Sequence, residues 1–349
     1  MTSVAPVGPG PGINDDAGGP LLRISDLHVS FHSGGRETVA ALRGVSLDVA
    51  ARETVAIVGE SGSGKSTAAL SVLGLLPRQR SSTTGRIVFA GRPLSADSPQ
   101  MRKVRGAEVA MVFQDPMTAL NPTLRVGHQI AMALRAHTDL PRPAIRRKVL
   151  ELLTTVGLTD VANLAAAYPH SLSGGMSQRV VIALALSCSP RLLIADEPTT
   201  ALDVTIQAQI LQLLQQLQAD LGLSILLITH DLGVVAEMAN RVFVMYSGKI
   251  VESGSVGQVL TAPEHPYTQA LLEAMPRLDR PRGTRAPRRD ARSRRPSPTG
   301  CSYQGRCPIS TEQCAIEPAL LPVGEAHWLA CWNRGVASDR PSSMESTDG

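Results

Sequence analysis

The segment Gly59-Glu-Ser-Gly-Ser-Gly64-Lys65-Ser66 constrains this chain more than any other feature. It fits the pattern G-x-x-x-x-G-K-[ST] in full. It follows Thr54-Val-Ala-Ile-Val58, a short β-branched apolar run of the kind that forms a buried parallel strand. The residues after it predict a helix from Lys65 to Leu76, closed by Pro77. Strand, glycine loop and helix in this order make a phosphate cradle. Glycines let the backbone wrap closely, so that successive N–H groups point at a β-phosphate, and the helix start adds its positive end. Lys65 places a point charge between β- and γ-phosphates, and Ser66 offers a hydroxyl to Mg²⁺. A Gly/Ser turn that matches by chance is the bland alternative; the strand–loop–helix context argues against it.

The surrounding pattern alternates strands with helices. Strands are predicted at Leu22 to Phe31, Val39 to Val49, Arg86 to Phe89, Val109 to Phe113, Leu192 to Ala195 and Ile225 to Ile228. Gly34-Gly35 punctuates a turn between the first two, and Val242 to Met245 and Lys249 to Glu252 flank Ser247-Gly248 as a hairpin. Residues 117–189 read as mostly helical, Ile206 to Leu221 has apolar residues at helical spacing, and a further helix runs to about Asn240. Such alternation argues for an α/β fold with a mainly parallel sheet.

Two more segments carry chemistry. Leu192-Leu-Ile-Ala-Asp196-Glu197 ends an apolar strand with two carboxylates, at the sheet edge where α/β folds bind ligands. Asp196 is assigned to Mg²⁺ and Glu197 to the attacking water, with an acidic helix cap as the bland reading. Leu172-Ser-Gly-Gly-Met-Ser-Gln178 opens an apolar helix, so Ser173, Gly174 and Gly175 present a hydroxyl and free N–H groups to a second anion. Two subunits packed head to tail would bring that clamp to the first loop.

With these residues in place the chain resembles the ATP-binding subunits of ABC transporters over roughly residues 21–275. Six motifs stand in that family's order: the loop at 59–66, Gln114, the 172–178 signature, Asp196-Glu197, Ala201-Leu202-Asp203, and His230 in Leu227-Ile-Thr-His. The resemblance implies a P-loop NTPase (RecA-like) core with an antiparallel β subdomain and an inserted helical subdomain. It implies ATP held by Gly59, Ser61, Gly62, Ser63, Gly64, Lys65, Ser66 and Thr67, with adenine stacked on Phe31. Mg²⁺ would be held through Ser66, Gln114 and Asp196, and hydrolysis carried by Glu197, His230 and Gln114. Ser173, Gly174, Gly175 and Gln178 would clamp a partner's nucleotide, and Asp203 would touch the partner.

Phe113-Gln-Asp-Pro-Met-Thr-Ala-Leu-Asn-Pro122 and His265-Pro-Tyr-Thr-Gln-Ala-Leu-Leu272 are similar to stretches of dipeptide/oligopeptide importer ATPases. That resemblance implies a second ATPase subunit, a paralogue rather than a self copy, two membrane permease subunits and, indirectly, a substrate-binding protein. Nickel or another small solute is the alternative cargo. A soluble ABC ATPase acting on DNA or ribosomes is the competing class, though no nucleic acid is expected.

Four of the five cysteines form Cys301-x5-Cys307-x6-Cys314-x16-Cys331 and predict a small separate module at 299–335. The spacing resembles the extension of those importer ATPases, which implies a [4Fe–4S] cluster. Four thiolates also suit zinc, although these gaps exceed the two to four residues usual for zinc pairs. Cys188 reads as a small buried hydrophobe in an apolar helix. Nine Arg crowd residues 277–295, so 276–298 reads as a solvated linker, with an anionic membrane surface as the sharper alternative; 1–20 and 336–349 read as disordered tails. No apolar run nears the roughly 18 residues of a membrane span, and no signal peptide is evident. The expected location is the cytoplasmic face of a membrane, held there by partners. A net charge of +4 in 349 residues is too small to argue for nucleic acid by itself.

Overall fold

A computed structural model describes residues 19–32, 38–200, 202–274 and 299–333. The Gly34-Gly35 turn, Ala201, the Arg-rich segment and nearly all of both expected tails lie outside the described residues.

The chain opens with β1 (Leu22–His32), β2 (Thr38–Val49) and β3 (Thr54–Val58), then α1 (Lys65–Val72), β4 (Ser81–Phe89), β5 (Arg92–Leu94), α2 (Pro99–Val104) and β6 (Val109–Val112). A run of helices follows: α3 (Pro116–Ala119), α4 (Val126–His137), α5 (Arg142–Thr155), α6 (Val161–Ala166) and α7 (Gly174–Leu186). Then come β7 (Leu192–Asp196), α8 (Val204–Leu221), β8 (Ser224–Thr229), α9 (Leu232–Met238), β9 (Arg241–Tyr246), β10 (Lys249–Ser255), α10 (Val256–Thr261) and α11 (Pro266–Glu273). The last described strands are β11 (Leu321–Gly324) and β12 (His327–Leu329).

These build two sheets. An antiparallel sheet has the order β2-β1-β4-β5, and a mixed sheet has the order β11-β12-β10-β9-β3-β8-β7-β6. The four strands β6, β7, β8 and β3 run parallel, as does the pair β3 and β9. Both faces of these strands are covered, which is why they read as unbroken apolar runs. In β3, Val55 and Ile57 enter one core while Ala56 and Val58 enter the other. In β8 the division is Leu226 and Ile228 against Ile225 and Leu227, the period-two consequence of strand geometry. One core packs the sheet on α1 and the antiparallel sheet; the other packs it on the α4–α9 side.

Three expectations change. α1 stops at Val72, short of Leu76, because Gly74 turns left-handed at φ +59°. Cys188 lies past the end of α7, half-buried, before Ser189 at φ +53°. The segment 299–333 does not stand apart. β12 pairs antiparallel with β10 and so extends the mixed sheet itself. Arg43 and Lys249 both reach Glu317, at 3.0 and 2.7 Å.

Candidate functional site

Four parallel strands end on one edge of the mixed sheet, and each is followed by a segment singled out from the sequence. The phosphate loop follows β3, Gln114 follows β6, Asp196-Glu197 closes β7 and His230 follows β8. The sheet order places β7 beside β8 and β8 beside β3, so segments far apart in sequence meet there.

The loop's shape depends on two glycines. A Cβ on Gly59, at φ +154°, would stand 2.1 Å from the Met245 carbonyl oxygen on neighbouring β9. Gly64, at φ +107°, caps α1, and a Cβ there would stand 2.7 Å from the Ala41 carbonyl oxygen. Lys65 is buried and folds back, its Nζ donating to the carbonyls of Gly59 at 2.7 Å and Glu60 at 3.0 Å. Burial lowers its pKa, opposed by the charges of Glu197, Asp196 and Glu60. Ser61, Gly62 and Ser66 are exposed, Ser63 is buried and Thr67 is half-buried.

Glu197 is the hub. It adopts a left-handed φ of +47°, and its amide donates to the Ile228 carbonyl on β8 at 2.7 Å. One carboxylate oxygen accepts from Gln114 Nε2 at 2.9 Å and from Thr200 Oγ1 at 2.8 Å; the other meets His230 Nδ1 at 3.0 Å. Burial alone would raise this carboxyl's pKa. The bonds from His230 and Thr200 and the charge of Lys65 outweigh burial and hold it below the usual value, so Glu197 is ionised at neutral pH. The His230 side chain is 63% exposed, so it is no core histidine.

Asp196 beside it is buried, which raises its pKa, while a bond from Ser66 pulls the other way. Its Oδ1 and the Ser63 hydroxyl are buried without a hydrogen-bond partner. Orphaned oxygens of this kind are costly unless a ligand completes them. An acceptor oxygen at Asp196 suits a hard cation such as Mg²⁺, and a hydroxyl donor at Ser63 suits a phosphate. The residues therefore fit the nucleotide and metal that the motif implies.

The other expected residues fall in several places. Ser173 caps α7 by accepting from the Met176 amide at 3.3 Å, and Ser173 and Gly174 are exposed. Gln178 differs from its expected role. It is 1% exposed and donates to the Pro198 carbonyl at 2.7 Å, so it ties α7 to the turn after Glu197 rather than facing outward. Asp203 caps α8 through the Ile206 amide at 3.0 Å, next to an exposed Val204. Phe31 sits half-buried near the end of β1 against the core beneath the antiparallel sheet. Thr200 was not singled out from the sequence; its place three residues after Glu197 in a tight turn is the signal that was available.

The four C-terminal cysteines lie near one another. The Cys301 amide donates to the Cys314 carbonyl at 2.8 Å. Burial, with added repulsion from Cys331, Cys314 and Cys301, pushes the Cys307 thiol up to about 11. Yet among the described residues no group of three His, Cys, Asp or Glu side chains converges to hold a metal ion. The expected iron–sulfur or zinc site therefore gains no support from this geometry.

A family model described as ABC transporter matches residues 42–200, and one described as the C-terminal region of oligopeptide/dipeptide transporters matches residues 251–314. The Bacillus subtilis dipeptide transport ATP-binding protein DppD is 48% identical over 316 residues, covering 89% of this chain and 94% of that one. This chain belongs to the ABC transporter family, as an ATPase subunit. The ABC ATPase is also 45% identical over 327 residues to the Bacillus subtilis oligopeptide transport ATP-binding protein OppD, covering 89% of this chain and 88% of that one. A solved dimer of the ATP-binding cassette MJ0796 in a post-hydrolysis state with ADP and Pi shares its fold, with a TM-score of 0.59 at 29% identity, over 67% of this chain and 98% of that chain. Among the described residues no helix is long and apolar enough to cross a membrane.

Proposed function

We propose that this ABC ATPase drives the import of di- or oligopeptides through two membrane permease subunits, in a dimer with a paralogous ATPase. The observation that carries the reading is the bonding of Glu197. It is ionised, faces His230 and Gln114, and stands close enough to Lys65 to feel its charge. In this reading Lys65, Ser66 and the loop amides bind the triphosphate, and Asp196 with Ser66 and Gln114 holds Mg²⁺. When bound, that ion would supply positive charge against the phosphate oxygens. Glu197 exchanges its bonds to Gln114 and His230 for a water and takes that water's proton. Ser173, Gly174 and Gly175 close on the partner's nucleotide, and Phe31 carries the adenine. Peptide cargo is supported by the match of residues 251–314 to the peptide-transporter region and by what the relatives are called.

The test is ATP turnover with the permease pair in membranes. Glu197→Gln is expected to retain ATP binding and lose turnover by at least about 100-fold. Turnover equal to the parent's sinks the assignment of Glu197, and failure to co-purify with membrane subunits sinks the transport reading. A metal in the cysteine segment is a separate proposal, supported by the sequence spacing of Cys301, Cys307, Cys314 and Cys331 alone; protein purified without oxygen and lacking iron, sulfide and zinc ends it.

A further inference from the structure

The cysteine-bearing segment makes one contact with the phosphate loop that no motif announces. Arg306 Nη1 and Nη2 donate to the two carboxylate oxygens of Glu60, at 2.8 and 2.9 Å. This is the two-pronged geometry that arginine alone provides. The guanidinium lies 5.6 Å from the centre of the Tyr303 ring and 5.9 Å from that of Tyr246. Tyr246, Tyr267 and Tyr303 pack on one another with centroids 4.6–5.5 Å apart, and the Tyr267 hydroxyl accepts the Glu60 N–H at 2.8 Å. The Glu60 carbonyl in turn accepts from Lys65 Nζ. The second residue of the phosphate loop is thus tied at side chain, amide and carbonyl. Two of those ties come from residues more than 200 positions further along the chain.

We infer that Arg306 is a positioning residue for nucleotide binding, acting through Glu60. A carboxylate beside a triphosphate cradle repels the ligand it serves. Arg306 offsets that charge and holds the carboxylate away, while Tyr267 sets the loop's first turn. The inference rests on the ATP-binding reading of the loop. Both partners of the pair are 44% exposed, so the pair adds little to folding stability, and its effect is read in affinity.

The experiment is competition of ATP, with Mg²⁺, against a fluorescent ATP analogue on the full chain, with a thermal melt of each variant. Arg306→Ala is expected to weaken ATP binding roughly 3- to 10-fold at an unchanged Tm, as an unscreened like charge near the ligand would. Arg306→Lys keeps the charge and is expected to recover part of the loss. In a Glu60→Gln background, Arg306→Ala is expected to change nothing. The parent's advantage over Arg306→Ala shrinks as salt rises. Parent-like affinity in Arg306→Ala, or the same loss with and without the Glu60 carboxylate, overturns the inference. If Arg306→Ala does not fold, the Arg306→Lys and Glu60→Gln pair decides it by the same non-additivity. A parent chain that binds no ATP overturns the ATPase reading first, an outcome distinct from any difference between variants.

Discussion

Gly59 shows how little freedom the loop has. Its backbone passes so close to Met245 that no side chain fits, and its φ of +154° is one that L residues rarely adopt. Gly59→Ala is expected to abolish ATP binding and to cost about 2–4 kcal/mol, read as a fall in Tm and in bound nucleotide analogue. Arg241 makes a different kind of bond. It joins β9 to the antiparallel sheet by donating to Glu53 at 2.6 Å and to the buried Asp48 at 2.9 Å. Arg241→Ala leaves the Asp48 carboxylate buried without its main partner. Urea melts are expected to show a loss of about 3 kcal/mol; a loss below about 0.5 kcal/mol, as for a surface pair, contradicts this.

The attachment of β12 to β10 is an element-scale device with its own chemistry. Glu252 on β10 is fully buried, accepts the amides of Glu264 and His265, and meets His327 Nε2 at 2.9 Å. The bond to Glu252 raises the pKa of His327 against the opposing effect of burial. The imidazolium therefore stabilises the fold fully below its unfolded value of about 6.5, and this is lost as pH rises through the higher folded value. The stability difference between the parent and His327→Gln is expected to shrink over that rise; a constant difference rejects the link. His265 behaves oppositely. Burial lowers its pKa to about 4, so its contribution is full above about 6.5 and lost as pH falls toward 4. α10 had a readable start in Ser255-x-x-Gln258, a capping box with both bonds formed, yet hydrophobic spacing alone did not announce it.

At the scale of the whole molecule, the clamp role proposed for Ser173 and Gly174 needs a partner to act on. Ser173 and Gly174 face solvent, and Val204 is 84% exposed beside Asp203. If these form the nucleotide-dependent dimer face, Val204→Glu is expected to reduce ATP-driven association of a Glu197→Gln background with the proposed partner ATPase at least fivefold by analytical ultracentrifugation. Folding and ATP binding by the single chain should be unaffected, and unchanged association rejects that face. What the linear chain by itself determined is local. Short apolar runs specified β3, β7 and β8, and glycine spacing specified the loop, because period and backbone freedom act over a few residues. Only the tertiary structure decided which ends meet. β3 lies between β8 and β9, with β7 beside β8, and this order brings Gln114, Thr200 and His230 onto Glu197. The same holds for Gln178 turning inward and for the cysteine segment joining the sheet through β12 and reaching Glu60 through Arg306. Such contacts arise where two buried faces and one unpaired strand edge must be covered at once, a condition set by the packed whole and written in no single stretch of residues.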